Sequence, residues 1–182
     1  MNLYASDAWL DSGGVEDADC IRWLLGDARG SVLEIGCGTG EAAAVFAKAG
    51  CGVTGVDLVD AALERAKQRC PGGRFLHADA AALPFANGAF AMAHMGCMRI
   101  PLQNTGKWDA ACAEARRVLQ ADGLLLLGDL GTAEVLAGFA LLRQRDATDA
   151  LRAFGARWLW NNDEPFPLCG AKRYTLSVYQ KK

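Results

Sequence analysis

The residues best able to do chemistry begin in one short run, Val32-Leu33-Glu34-Ile35-Gly36-Cys37-Gly38-Thr39-Gly40, and continue with Asp57 and Asp79. A strand-sized apolar run enters a glycine-rich turn, and an alanine-rich helical stretch leaves it. Glycines let a backbone approach a ligand closely, and a helix start offers N–H groups that have no partner inside the helix. A dinucleotide pyrophosphate asks for G-x-G-x-x-G, with its third glycine at position 41. Glu41 stands there instead. A negative side chain in that first helical turn argues for a ligand carrying little negative charge at this point. Asp57 lies seventeen residues past Gly40, at the end of the second strand. An acid there accepts hydrogen bonds from both ribose hydroxyls of a nucleoside. Asp79 lies at the corresponding end of the third strand, where a carboxylate can accept from an adenine amino group. Loop and acids together specify an adenosine whose sulfur or phosphorus end meets a helix start without a phosphate cradle.

The elements that hold these groups follow from periodicity. Strand-sized apolar runs alternate with helix-sized amphipathic segments, the pattern of an open α/β sheet. Helices are expected at 16–29, 41–49, 61–69, 107–119 and 132–154, the last bent near its middle. Gly50 suits the left-handed stop of the second of these. Strands are expected at 31–35, 52–56, 74–78, 89–95 and 124–127, with Asp122-Gly123 turning into the last. Two closing strands, about 156–160 and 173–180, would form a hairpin at one sheet edge. Arg116 and Arg117 fall near the C-terminal end of their helix, where the macrodipole favours positive charge.

Composition bounds the rest. A chain of 182 residues with 52% hydrophobic and 22% charged residues suits one globular domain with one core. A net charge of −2 removes the usual electrostatic reason for non-specific nucleic-acid or membrane-surface binding. No apolar run reaches the roughly 18–20 residues that span a bilayer. The opening MNLYASDAWLDSGG lacks the basic flank and apolar stretch of a signal peptide, so a cytoplasmic location is expected. The seven cysteines (Cys20, Cys37, Cys51, Cys70, Cys97, Cys112 and Cys169) form no C-x-x-C pair, which suggests neither a disulfide framework nor a zinc site. They read as thiols packed like small hydrophobes, and no metal site is expected. A soft-metalloid site at Cys37, Cys97 and Cys169 is the weaker alternative to that reading.

On these motifs the chain resembles the class I S-adenosylmethionine-dependent methyltransferases, and most of all the small subgroup similar to the ubiquinone- and menaquinone-biosynthesis enzymes. VLEIGCGTG matches the first motif, VTGVDLVDAALERAK the second strand with its ribose acid, HADAAALPFANGAF the adenine loop, and ARRVLQADGLLLLGD the fifth strand with its preceding helix. The resemblance spans roughly residues 30–130. It implies a single three-layer αβα domain over residues 1–182 with a Rossmann-like, mostly parallel seven-stranded sheet, order 3-2-1-4-5-7-6, strand seven antiparallel. It also implies that Glu34 and the backbone of Gly36, Cys37, Gly38 and Gly40 surround the methionine part of the cofactor. Asp57 would bind the ribose hydroxyls, Leu58 the adenine face, Asp79 the adenine amine and the Ala80 N–H a ring nitrogen. Met95 and Gly96 would line the methionine amine and the approach to the methyl group.

The acceptor side is less defined. Ala91 follows Phe90 where many relatives have Asp, and Ile100-Pro101 stand where many have histidines. MGCMRIP, residues 95–101, offers neither the Asn/Asp-Pro-Pro-aromatic tetrad of adenine amino methylation nor the Pro-Cys nucleophile of cytosine methylation. A small-molecule acceptor is therefore expected over nucleic acid. His94 is the histidine near the site, and an imidazole base helps when the acceptor is a hydroxyl. Its place in an apolar strand also fits a core histidine. Cys97, Arg99 and Asp129 follow strands four and five, where substrate arrives. Residues 1–15, with Tyr4 and Trp9, and the 161–172 loop, with Trp160 and Phe166 beside and within it, are the segments available to cover the pocket. A homodimer or partner subunit would be another way to complete it. Two rival classes stay open: a catalytically silent subunit of the same fold, and a nicotinamide-dependent oxidoreductase, which Glu34 and Glu41 disfavour.

Overall fold

A computed structural model describes residues 18–130, 135–150 and 173–182. Helix α1 is Ala18–Leu25, β1 Ser31–Ile35, α2 Glu41–Lys48, β2 Gly52–Asp57, α3 Asp60–Arg69, β3 Arg74–His77 and β4 Phe90–Gly96. They are followed by α4 Arg99–Asn104, α5 Trp108–Val118, β5 Leu119–Leu130, β6 Phe139–Asp146 and β7 Tyr174–Lys181. The strands form one seven-stranded sheet in the order 3-2-1-4-5-7-6. Strand β7 runs antiparallel to both β5 and β6, and the other neighbours are parallel. This is the expected sheet order and class I architecture.

Alternation across each strand divides the core. Val32, Met92, Leu126 and Val178 pack with α1, α2 and α3 on one face, around Phe46 and Ile21. Leu33, Ala93, Met95, Leu125 and Leu127 pack with α4 and α5 on the other, around Trp108 and Ala111. Strands with both faces buried read as continuous apolar runs, which is why the central ones were visible in the sequence. The loops at the C-terminal ends of the parallel strands all emerge on one edge, the edge where open α/β sheets bind ligands.

Three local expectations differ. The first helix was expected to reach residue 29 but stops at Leu25, because Gly26 adopts a left-handed φ of 55°. Strand β5 starts at Leu119, pairs with Phe90, loops out through Asp122 at φ 58° and resumes opposite Met92 at Leu124. The expected helix over 132–154 is contradicted within the described residues, since 139–146 is the edge strand β6. Phe-Ala-Leu-Leu-Arg-Gln-Arg contains good helix formers, yet pairing with β7 from Phe139↔Lys181 to Asp146↔Thr175 overrides that preference. The two arginines take part in this outcome. Arg143 and Arg145 stack over the Trp23 ring at 5.2 and 4.9 Å. Arg143 also donates to the Trp23 and Leu24 carbonyls, at 3.1 and 3.0 Å, where α1 ends. The strand expected at 156–160 and the covering segments 1–15 and 161–172 lie outside the described residues.

Candidate functional site

The glycine turn is built by crossing main chains. Gly36 and Cys37 both donate to the Val56 carbonyl, at 2.8 and 2.9 Å, which straps the turn to the end of β2. Asp57 completes the strap: Oδ2 accepts from the Gly38 N–H at 2.8 Å and Oδ1 from the Val59 N–H at 3.0 Å. Gly36, Gly38 and Gly40 all take positive φ. At Gly40 the requirement is also steric, since a Cβ there would lie 2.9 Å from the Cα of Ala66. At Gly36 a side chain would collide with the Met98 thioether, so Met98 bounds the space above the turn.

Glu41 does not stand at the helix start as an open charge. Its carboxylate pairs with Arg69 and accepts from the Thr39 hydroxyl at 2.6 Å. Arg69 also donates to the Thr39 carbonyl. The electrostatic case against a pyrophosphate is therefore weaker than the sequence implied, and it rests on the side chain replacing the third glycine.

Glu34 is 4% exposed and lies beneath the turn, with Oε1 3.9 Å from His94 Nδ1 on the neighbouring strand. His94 is 2% exposed, and its ring meets Phe46 edge-on at 5.3 Å. It occupies the core face covered by α2. Cys37 is buried in the same place, and burial together with the charges of Glu34 and Asp57 pushes its thiol far above the ordinary range. A thiol held protonated is a poor nucleophile. Alkylation by iodoacetamide at pH 8, followed by mass spectrometry, is therefore expected to label partly exposed Cys97 well before Cys37. Equal labelling of the two in the folded protein would contradict this. Among the described residues no cluster of His, Cys, Asp and Glu could hold a metal ion; Cys169 lies outside them.

At the ends of β2 and β3 the expected cofactor residues come together. Leu58, beside Asp57, exposes 54% of its surface, an apolar face unusual at a charged edge. Asp79 Oδ1 accepts from the Ala81 N–H at 2.9 Å, and Oδ2 pairs with Lys107. That pairing, reinforced by the Ala81 N–H, holds the Asp79 carboxyl below its usual range. Ala80 is buried under the loop.

The loop between β3 and β4 is also fastened to α5, through residues the sequence reading had not connected to it. Glu114 accepts the Leu83 N–H at 2.7 Å and binds Arg117. Arg117 donates to the Phe85 carbonyl at 2.6 Å and to the Leu83 carbonyl at 2.9 Å. The helix-end arginine thus acts as a buckle for the loop. No local pattern shows this, because its partners lie more than thirty residues away. Glu114 is held below the usual carboxylate range, mainly by Arg117. The fastening is therefore complete above ordinary carboxylate values and is lost as pH falls through the depressed one. Arg117→Ala is expected to cost about 1–2 kcal/mol, discounted for partial exposure, and to raise amide exchange across residues 79–88. Lysine should recover little of this, because one ammonium cannot replace a forked donor. Hydrogen-exchange mass spectrometry checks both variants, and unchanged exchange would contradict the role.

The acceptor edge lies past β4 and β5. Met95 is fully buried in the α5-side core, so it reaches this edge with its main chain alone. Gly96 pairs with Gly128, and Cys97, at φ 52°, donates to the Gly128 carbonyl at 2.7 Å. Asp129 accepts from the Arg99 N–H at 3.1 Å and lies 3.4 Å from Arg99 Nε. The Arg99 guanidinium in turn lies 5.3 Å from the centre of the Trp108 ring. Both charged residues are buried, so Asp129 is no solvated turn acid. Helix α4, which starts at Arg99, was not expected; it is one short helix with Pro101 in its first turn, where the missing N–H costs nothing.

Residues 32–123 match the model of the methyltransferase domain family. A demethylmenaquinone methyltransferase of Renibacterium salmoninarum is 33% identical over 115 residues, covering 59% of this chain and 47% of that protein. The chain spans about half the length of the curated relatives it matches. Among solved structures, a TehB-like SAM-dependent methyltransferase from Corynebacterium glutamicum aligns with a TM-score of 0.64 at 22% identity, covering 91% of this chain and 86% of that one. The [4+2]-cyclase SpnF aligns with a TM-score of 0.68 at 18% identity, covering 90% of this chain and 79% of that one. At these identities the structural likenesses establish the fold.

Proposed function

The chain belongs to the methyltransferase domain family, and we propose that it binds S-adenosylmethionine and passes its methyl group to a small-molecule acceptor by in-line displacement. The observation that carries this reading is the alignment of three consecutive strand ends on one edge. There β1 leads into Gly36–Gly40, β2 into Asp57-Leu58 and β3 toward Asp79-Ala80. The residues fit the cofactor. A carboxylate has about four acceptor directions, and two main-chain donors occupy Asp57, leaving capacity for two ribose hydroxyls. Leu58 offers an exposed apolar face for a purine.

When bound, the cofactor supplies an electrophilic methyl group on a sulfonium. The chain's part is alignment and exclusion of water, which lowers the barrier by holding the reactants near contact distance. In this reading the main chain of Gly36–Gly40 and of Met95-Gly96 surrounds the methionine end, with Glu34 beneath. Met98 limits the space above Gly36. The Asp129–Arg99 pair fixes the turn of Cys97 and Met98 at the acceptor side. His94 is too deeply buried to meet an acceptor hydroxyl, and we assign it no proton transfer. Residues 30–130 form the cofactor core of a single domain, and the reading places the protein in the cytoplasm. Among the described residues no helix is long and apolar enough to cross a membrane.

Titration calorimetry with S-adenosylmethionine, S-adenosylhomocysteine and NAD tests the reading. Heat with both sulfur nucleosides and none with NAD is the expected result. Heat with NAD alone would favour the oxidoreductase class and overturn the proposal. Sulfur-nucleoside binding with no methyl loss across a panel of small acceptors would favour the silent subunit.

A further inference from the structure

We propose that Lys107 is a positioning residue for adenine recognition, fixing the Asp79 carboxylate at the cofactor edge from the start of α5. The inference rests on the cofactor reading above and adds to it a residue that no motif identifies.

Lys107 is itself well placed to act as a strut. Its N–H donates to the Leu102 carbonyl at 2.7 Å, and its carbonyl accepts from the Ala111 N–H at 2.9 Å. These bonds set its main chain in the corner between α4 and α5. From there the side chain crosses to a loop 28 residues earlier and meets Asp79 Oδ2. The other oxygen is taken by the Ala81 N–H, and the Asp79 carbonyl accepts from Ala82 at 3.0 Å. A carboxylate held at both oxygens keeps one orientation, and the side chain stays 31% exposed with acceptor capacity left for a ligand amine. The neighbouring ionisable groups are engaged elsewhere. Asp57 at the end of β2 holds Gly38 and Val59, His77 on β3 meets Asp60 at 2.8 Å, and Glu114 on α5 binds Arg117. Lys107 is thus the cation that keeps Asp79 ionised, in agreement with its lowered pKa.

Two effects follow. The acid remains a charged acceptor at acidity where an unsupported aspartate begins to take up a proton, and charge-assisted hydrogen bonds are roughly twice as strong as neutral ones. It is also oriented before the ligand arrives, so less freedom is lost on binding.

The test is calorimetric binding of S-adenosylhomocysteine to the full chain at pH 7.5 and pH 3.5. Wild type, Lys107→Met, Lys107→Arg and Asp79→Asn are compared. Wild-type affinity should change little between the two pH values. Lys107→Met should lose roughly threefold more than wild type at the lower pH, as an unsupported carboxylate takes up its proton. Lys107→Arg should follow wild type. Asp79→Asn should bind more weakly at both pH values, without the added loss. A purely structural Lys107 would shift thermal stability yet leave the pH profiles of Lys107→Met and wild type parallel, and that result overturns the inference. If Lys107→Met fails to fold, Lys107→Gln carries the same comparison. Absence of binding by wild type at both pH values would instead bring down the cofactor reading, and this inference with it.

Discussion

Asp57→Ala is expected to weaken S-adenosylhomocysteine binding by about 10–100-fold, the equivalent of hydrogen bonds to a charged group. The structure adds a second effect to the loss of ribose contacts. The same carboxylate accepts from Gly38 and Val59, so its removal frees the glycine turn on one side and the start of α3 on the other. Two partly buried N–H groups would then lack their acceptor, at a cost of about 1–3 kcal/mol in stability. For a domain of this size that corresponds to a fall of roughly 2–12 °C in Tm. Asp57→Asn separates the two effects. One oxygen still accepts a main-chain N–H, while the amide group presents donors where an acceptor is needed. Asparagine should therefore recover part of the stability and little of the affinity. Calorimetry and thermal unfolding on the three proteins read both quantities. Unchanged affinity in Asp57→Ala would remove the ribose role.

The parts of the fold that the sequence made legible are those governed by burial. Strands β1, β2 and β4 lie inside the sheet, where apolar runs are required on both faces. The glycine turn was legible because helix α2 follows β1 directly, and only glycine meets its backbone angles cheaply. Strand β6 was misread because an edge strand buries little: Phe139 reaches the core while Leu141 and Leu142 stay about half exposed. Nothing in its own pattern then outweighs the helix-forming preference of Ala, Leu, Arg and Gln. Its partner β7 lies inside the sheet and is enclosed on both faces, with Thr175, Ser177 and Tyr179 buried as well as Tyr174, Leu176 and Val178.

The site divides in the same way. Asp57 and Asp79 were legible as candidates because chain topology alone brings the ends of consecutive parallel strands to one edge. Lys107, Glu114 and Arg117 were not, because their roles come from long side chains reaching a loop about thirty residues earlier. Such pairings leave no periodicity. The acidic Glu41 was found but misjudged, since Arg69, the cation that neutralises it, arrives from the next helix. Types of residue at strand ends are readable in this architecture; the partners that orient them are set by packing between layers.

Gly40→Ala should be among the most destabilising single changes in the cofactor half, and a second glycine permits its causes to be separated. Gly40 and Gly50 have nearly the same φ, 83° and 86°. An L side chain in that region costs about 1–2 kcal/mol at either position. The surroundings differ. A Cβ at Gly50 meets nothing within 4 Å, whereas at Gly40 it would lie 2.9 Å from both Cα and Cβ of Ala66. Because part of that obstacle is main chain, α2 and α3 must move apart, and overpacking of this kind costs about 1–3 kcal/mol more. The expected losses are thus about 1–2 kcal/mol for Gly50→Ala and about 2–5 kcal/mol for Gly40→Ala. Gly40→Ala should also weaken cofactor binding, since displacement of α2 shifts the turn that precedes it. Gly50→Ala, at the far end of the same helix, should leave binding alone. Urea unfolding and calorimetry on both variants make the comparison. Equal destabilisation by the two would mean that close approach of α2 and α3 is not what places a glycine at position 40.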